Sequence, residues 1–531
     1  MWTTTSGLRG KKLHLAITFT SVVGFSLFGY DQGLMSGIIS GDRFVQDFPP
    51  LNDKIDPPPP GYSSAAAYKE HVSVLQGAVT ACYELGCFFG AIFTLCFGER
   101  IGRTPLLVSG GILMVIGTVI STAAFGDKWG LGQFVIGRVI SGLGNGMDTA
   151  TIPVWQSECS RAHNRGFLVC FEGAIIAVGT FIAYWVDFGF SYTPLSVQWR
   201  FPVAFQILFA ICVTGGALML PESPRWFVMR GHDEQAIEVL AALNDSTVDG
   251  EDVLTDYNLM KADLKTQEGS KASWKTLFTF GKTQEFQRMM IGCSGQFFQQ
   301  FTGCNAAIYY STLLFKNNLN IHGKLALVLG GVFATVYALA TIPSFFMIER
   351  VGRRKLFLIG FAGQECEGRR RRYLRLYLFL RLYHSASALD LPPEINPLRT
   401  RTMAAAASTC TNWITNFAVV MFVPVFSSSS GWGMYLFFAA LNGIGVPFAW
   451  FFYPETAGRD LEEVDIIFAK AHVEGKWPYQ VANELPKLTV EQIAQMQIDL
   501  GLNVAENHSI EHEKAEMAMS TGESEEKTAS D

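Results

Sequence analysis

Apolar runs of about twenty residues, separated by short polar loops, recur along nearly the whole chain. A hydrocarbon core of about 30 Å is crossed by about 20 helical residues rising 1.5 Å each. On that measure the pattern predicts ten spans, near 13–39, 74–97, 105–125, 131–155, 167–188, 201–220, 289–315, 325–348, 403–426 and 431–452. A polar stretch, 221–288, divides the sixth run from the seventh and contains helix-like text, "DEQAIEVLAAL". Beyond 455 an amphipathic segment, "LEEVDIIFAKA", gives way to "GESEEKTASD", whose acidic, apolar-poor composition predicts disorder. The expected class is an all-α membrane protein with helix bundles at 1–220 and 289–454. Residues 221–288 form a cytoplasmic linker containing helices, and 455–531 a partly disordered cytoplasmic tail.

Composition agrees with a lipid solvent. The 531 residues are 49% hydrophobic and 13% aromatic, and only 17% are charged. A net charge of -6, with acids concentrated toward the C-terminus, gives no surface for nucleic acid. The ten cysteines, Cys82, Cys87 and Cys96 among them, lie mostly in apolar runs without zinc-site spacing, and read as small packing residues. The start is short and basic (Arg9, Lys11, Lys12) and leads into a long span with no small-residue cleavage site, so it reads as a first membrane helix. Lys and Arg at the start, at 98–104, at 156–166, in 221–288 and at 349–354 place those segments in the cytoplasm, with both termini. The loop 40–73, with "DPPPPG", lies outside. Asn244 and Asn507 head glycosylation-like triplets, but both fall on the inner side.

The two halves echo each other. "GERIGR" at 98–103 matches "IERVGRR" at 348–354, and "PESPRW" at 221–226 matches "PETAGR" at 454–459. Parallel repeats in a helical membrane protein predict a transporter with its site between them. The matched spacing exposes a deficit: 122 residues separate Glu99 from Pro221, but only 105 separate Glu349 from Pro454. The shortfall falls at "ECEGRRRRYLRLYLFLRLYHSASALD", where a span should continue. One arginine at mid-bilayer costs at least about 2.5 kcal/mol, and this stretch holds six. It therefore does not span. A basic amphipathic helix on the inner leaflet is one reading. The reading we take is that 365–391 is foreign text from a shifted frame or misplaced splice junction, leaving the ninth span truncated and the tenth missing.

Asp31, in "FSLFGYDQGLMSG", is a carboxylate deep in the first span, in its outer half. Arg138, in "GRVISGLGNG", enters the fourth span from outside to a similar depth. Either charge alone is costly to bury, so the two are expected to pair. Such a pair either marks a proton path, since a carboxylate that can be protonated and released from its arginine is what proton coupling needs, or simply pins two helices. Glu84, Glu172, Asp148 and Asp187 are further acids in spans; Asp187, near a helix end, is expected to be wet, and Glu84 and Glu172 buried.

"QFFQQFTGCNAAIYY", 296–310, holds three glutamines and an asparagine within one span, with Gly303 permitting a break in the helix. Amides both donate and accept, which suits the hydroxyls of an uncharged ligand, although they also glue helices together. Gln296, Gln299, Gln300 and Asn305 are all candidates there, and "TNWITN" adds Asn412, Trp413 and Asn416. Gate candidates are the Glu and Arg residues at cytoplasmic helix ends. They are Glu99, Arg100 and Arg103 with Glu349, Arg350 and Arg353 in the repeated loops, Glu158 and Arg165 within 156–166, and Glu222, Arg225, Glu455 and Arg459 at the Pro-Glu turns.

Together, "GYDQG", "GERIGR", "GRVISGLGNG", "PESPRW", "QQFTGCNAAIYYSTLLF", "ERVGRRK" and "YPETAGRDLEEVD" resemble the sugar porter family of the major facilitator superfamily, over about 12–480 except 365–391. Within it, "PVWQSECSRAHNRGFLVCFEG" and "FIAYWVDFG" are most similar to the fungal glycerol/proton symporters. The resemblance implies two six-helix bundles with alternating access. It implies Asp31 as proton acceptor and Arg138 as its partner, where facilitators typically carry an uncharged residue at the first position. It puts Gln299, Gln300 and Asn305 on substrate hydroxyls, with Asn412 opposite. Gly173 stands where many hexose carriers have a glutamine, and Tyr337 where some have an asparagine, which fits a smaller or different polyol. The function expected is import of glycerol, or a related polyol or sugar, with a proton across a fungal plasma membrane. The alternatives are a passive hexose facilitator, a transporter-like nutrient sensor and a non-functional product of a misread gene. The partners expected are that small uncharged cargo, the proton and the bilayer; no cofactor, metal site or enzymatic activity is expected.

Overall fold

The computed structural model describes residues 7–502 except 40, 54, 56–58, 126–128, 160–164, 269–274, 320, 322, 343–353, 356, 359–394, 398–399, 457–458 and 460. The aberrant stretch 365–391, the acidic end of the tail, and Glu349, Arg350 and Arg353 lie outside the described residues. Every regular element described is helical. In the first half these are α1 (Gly10–Ile38), α2 (Asp42–Asp47), α3 (Ala65–Ile101), α4 (Arg103–Thr122), α5 (Gly130–Glu158), α6 (Arg165–Phe190) and α7 (Val197–Met219). Three shorter helices occupy the polar middle: α8 (Pro224–Met229), α9 (Asp233–Asn244), which is the helix-like text read there, and α10 (Glu251–Glu268). The second half has α11 (Glu285–Phe301), α12 (Cys304–Leu319), α13 (Lys324–Thr341), α14 (Arg401–Ser429) and α15 (Gly431–Phe452). The tail adds α16 (Leu461–Glu474), α17 (Pro478–Glu484) and α18 (Val490–Asp499).

Eight described helices, α1, α3, α4, α6, α7, α13, α14 and α15, are long and apolar enough to cross a membrane. Two of the ten predicted spans fall outside that set, and both carry candidate polar chemistry. The span at 131–155 is α5, rich in glycine and holding Arg138 and Asp148. That at 289–315 is two helices, α11 and α12, parted at Thr302 and Gly303. Gly303 has φ +77, a left-handed conformation that glycine adopts at little cost, so the chain breaks where the sequence allows it. Large apolar side chains such as Leu15, Phe19, Ile112, Ile116, Leu208 and Ile211 point outward from the membrane-length helices. In lipid such exposure carries no hydrophobic penalty.

In the first half α5 packs between α3 and α4, and α1 packs on α6 and α7. Small residues let these backbones approach: a Cβ on Gly142 of α5 would stand 2.2 Å from the Tyr83 carbonyl oxygen of α3, and one on Gly29 of α1 1.9 Å from that of Ile176. In the second half α14 lies against α11 and α12. The halves meet where α1 touches α12, α3 touches α14, and α6 touches α13. Near the α1 C-terminus that junction is polar: the Tyr184 hydroxyl lies 2.5 Å from the Ile308 carbonyl oxygen and 2.6 Å from Ser311 Oγ, and Trp185 Nε1 donates to Thr335 Oγ1 at 3.1 Å. At the same end Phe44 packs edge to face on Phe134 and Trp199, Phe48 lies tilted against Trp199, and Trp199 Nε1 donates to Asp47 at 2.8 Å.

Candidate functional site

Close packing of α1, α3 and α5 brings together side chains distant in sequence. Arg138 Nη1 donates to Asp31 Oδ1, with Asp31 0% and Arg138 1% exposed. The guanidinium carbon also lies 4.4 Å from the centre of the Tyr83 ring, a cation–π contact from α3. Tyr83 and Gln206 flank the carboxylate. With both charges out of water, removing either partner strands the other, which costs about 3–5 kcal/mol.

The amide-rich text folds into one network. Gln300 Nε2 donates to Asn412 Oδ1 at 2.8 Å, and Asn412 Nδ2 donates to Gln296 Oε1 at 2.6 Å and Gln299 Oε1 at 3.2 Å. Asn305 Nδ2 reaches Gln300 Oε1 at 2.6 Å and Asn416 Oδ1 at 2.9 Å. The break at Gly303 makes this possible, because it swings Asn305 on α12 back toward Gln300 on α11. Trp413, beside the network on α14, packs edge to face on Phe28 of α1 with ring centres 5.4 Å apart. All five residues read as cargo contacts, Gln299, Gln300, Asn305, Asn412 and Trp413, are therefore in one place. Gln296 and Asn416 complete the set.

Glu84 extends the network into the other half. Its carboxyl, fully buried on α3, accepts the Tyr309 hydroxyl from α12, and Asn416 stands beside it. Nothing in the local text around Tyr309 points to this pairing, which spans 225 residues. Asp187 departs from expectation: it is 5% exposed, not wet, because α6 presses it onto α1 at Gly37, where a Cβ would meet Asp187 Oδ2 at 2.3 Å. Asp148 is buried between α4 and α5, close to Gly110, and Glu172 is half-buried and not fully enclosed.

At the other end of the bundle, Arg103 grips Glu158 with two bonds, Nε to Oε2 at 3.0 Å and Nη2 to Oε1 at 2.9 Å, tying α4 to α5. Glu222 caps α4, accepting from the Thr104 backbone N–H and hydroxyl at 2.9 Å each. Glu99 and Arg100 have exposed side chains, and it is their backbone carbonyls that are engaged, by Trp226 Nε1 at 2.9 Å and Arg230 Nη2 at 2.6 Å. Arg225 is half-buried, and Arg165 lies on α6 with its side chain outside the described residues. In the second repeat Arg459 donates to the Ala482 and Leu485 carbonyls at 2.7 Å each, and lies 3.6 Å from Glu463; Glu455 sits in the turn before it. Arg288, absent from the candidates, pairs with Asp465 at 2.5 Å. Of these contacts only Arg103–Glu158 lies within a bundle; the others join the first bundle to the 221–288 linker, or tie the tail to itself and to α11.

The chain matches the family described as "Sugar (and other) transporter" over residues 16–367 and 378–468. It is 58% identical over 544 residues to the major facilitator superfamily transporter mfsA of Aspergillus fumigatus, covering 99% of this chain and 98% of that one. It is 50% identical over 505 residues to the sugar transporter STL1 of Saccharomyces cerevisiae, covering 92% and 87%. Its fold is that of the proton:xylose symporter XylE, with a TM-score of 0.69 at 24% identity over 86% of this chain and 99% of that one.

Proposed function

This chain belongs to the sugar transporter family of the major facilitator superfamily, multi-pass membrane carriers and not enzymes, and we propose that it imports glycerol or a related small polyol or sugar together with a proton. The observation that carries the reading is the buried Asp31–Arg138 pair. A titratable acid held against a guanidinium in the membrane, where burying either charge is costly, is what proton coupling needs and what passive movement of neutral cargo does not require. A proton arriving from outside neutralises Asp31 and loosens its hold on Arg138. That frees α1 from α5 and lets the bundles, 1–220 and 289–454, move about the cargo.

The amide network supplies the cargo end. Gln299, Gln300, Asn305 and Asn412 offer donors and acceptors in several directions, matching hydroxyls that do both, and Trp413 gives an apolar wall for carbon. Gly173 leaves open space where a Cβ would stand, and Tyr337 is buried among Ala177, Cys304 and Ile308. Neither offers an amide to a further hydroxyl, which favours a cargo with few of them. The Arg103–Glu158 and Arg459–Glu463 contacts brace the cytoplasmic gate. The carrier sits in the plasma membrane with both termini in the cytoplasm. Adding glycerol to lightly buffered, energy-depleted cells making the protein should alkalinise the medium; glycerol entry without alkalinisation would leave passive facilitation.

A second reading concerns 365–391. The family match stops at 367 and resumes at 378, skipping the four consecutive arginines Arg369–Arg372. That gap supports foreign text over a native surface helix. Sequencing the transcript across codons 360–395 decides between them.

A further inference from the structure

The contact between Glu84 and Tyr309 belongs to neither of the two centres described above, yet it touches both. Glu84 is carried by α3 of the first half and Tyr309 by α12 of the second, and both are fully buried. On one side Asn416, beside Glu84, accepts from Asn305, which is bonded in turn to Gln300. On the other side the residue before Glu84, Tyr83, lies under the Arg138 guanidinium, whose carbon is 4.4 Å from the ring centre, and Arg138 is bonded to Asp31. The groups facing it are Asp31 from α1, Tyr83 and Cys87 from its own helix, Arg138 from α5, and Tyr309 and Tyr310 from α12. Of these, only Arg138 is a cation.

Two fully buried carboxyls thus lie near one guanidinium: Asp31 is bonded to it, and Glu84 follows Tyr83, whose ring the guanidinium covers. Keeping both ionised away from water is costly, and a single guanidinium offsets that cost for only one of them. A hydroxyl such as that of Tyr309 makes a charge-assisted bond to an ionised carboxylate; once the carboxyl is protonated it keeps only a neutral bond to the carbonyl oxygen, or turns to accept from the new O–H. The state of Glu84 therefore alters a bond between the halves and, through Asn416, the amides.

We propose that Glu84 is the positioning residue that couples the two centres: the transported proton is shared between Asp31 and Glu84, and the Glu84–Tyr309 bond passes its arrival to the cargo site and to the junction between the halves. This rests on the proton-coupled reading above.

The test is the pH dependence of glycerol uptake by the full-length carrier. Glu84→Gln keeps an oxygen for Tyr309 but leaves one titratable carboxyl to Arg138, so the pH of half-maximal uptake should fall by about one unit. Tyr309→Phe removes the donor to the carboxylate and should move it the opposite way, to higher pH. If Glu84→Gln fails to reach the membrane, Tyr309→Phe decides alone. A profile that neither variant moves makes Glu84 a simple helix tie and overturns the proposal. A wild-type profile that is flat, without alkalinisation of the medium, overturns the proton-coupled reading and this inference with it, whereas alkalinisation with unmoved variant profiles overturns this inference only.

Discussion

Asn412 and Gln300, on helices 112 residues apart in the chain, share a hydrogen bond of 2.8 Å that uses the carbonyl of one and the amide of the other. The remaining amide of Asn412 serves Gln296 and Gln299, so this one side chain holds three glutamines in place. If cargo hydroxyls exchange into that lattice, Asn412→Ala should raise the KM for glycerol about tenfold, the equivalent of one hydrogen bond of about 1.4 kcal/mol. Maximal rate at saturating glycerol should change much less. An unchanged KM in radiolabelled uptake would make the amides a helix glue.

Helix approach gives a sharper contrast. Gly142 meets the Tyr83 backbone, whereas a Cβ on Gly173 has nothing within 4 Å. Gly142→Val should therefore abolish the folded carrier or lower its melting temperature steeply, because it forces α5 from α3 and separates Arg138 from Tyr83. Gly173→Ala should melt like the parent. Fluorescence-detected size exclusion of heated detergent extracts reads both.

The Arg103–Glu158 clamp is two-pronged and about nine-tenths buried at each end. Breaking it from one side should cost about 3 kcal/mol. Arg103→Glu and Glu158→Arg singly should each depress uptake or surface abundance, and the exchanged double variant should recover most of it. A double variant as poor as the singles would mean that the pair does not act as a unit.

Between α9 and α10, Lys261 donates to Asp233 at 2.8 Å and holds that carboxyl below its usual range. A depressed carboxylate stabilises the fold above the ordinary carboxylate range and loses that contribution as pH falls through about 4. It has no titration between pH 5 and 8. Asp233→Asn should accordingly leave the pH profile of uptake where it was, a control for variants in the membrane core; a moved profile would shift attention to the linker helices.

What the sequence disclosed follows from physical cost. A lone Asp in one span and a lone Arg in another, at matching depth, had to find each other, and Arg138 does bond Asp31. Glycine amid glutamines announced the break before α12. Tyr309 was silent, because a tyrosine in an apolar helix is unremarkable until Glu84 appears opposite, and that depends on how the halves meet. Asp187 misled: its place near a helix end implied water, but the absence of a side chain at Gly37 lets α1 close over it. Apolar text also understated α3, read as 74–97 and found at Ala65–Ile101, since its ends continue as helix beyond the apolar run.

The most direct test of proton coupling is Asp31→Asn in vesicles or cells with an imposed inward proton gradient. Glycerol should no longer accumulate above its external concentration, while exchange of labelled for unlabelled glycerol persists, because the amide site is intact and only the titrating group is gone. Accumulation by Asp31→Asn equal to that of the parent would contradict the account.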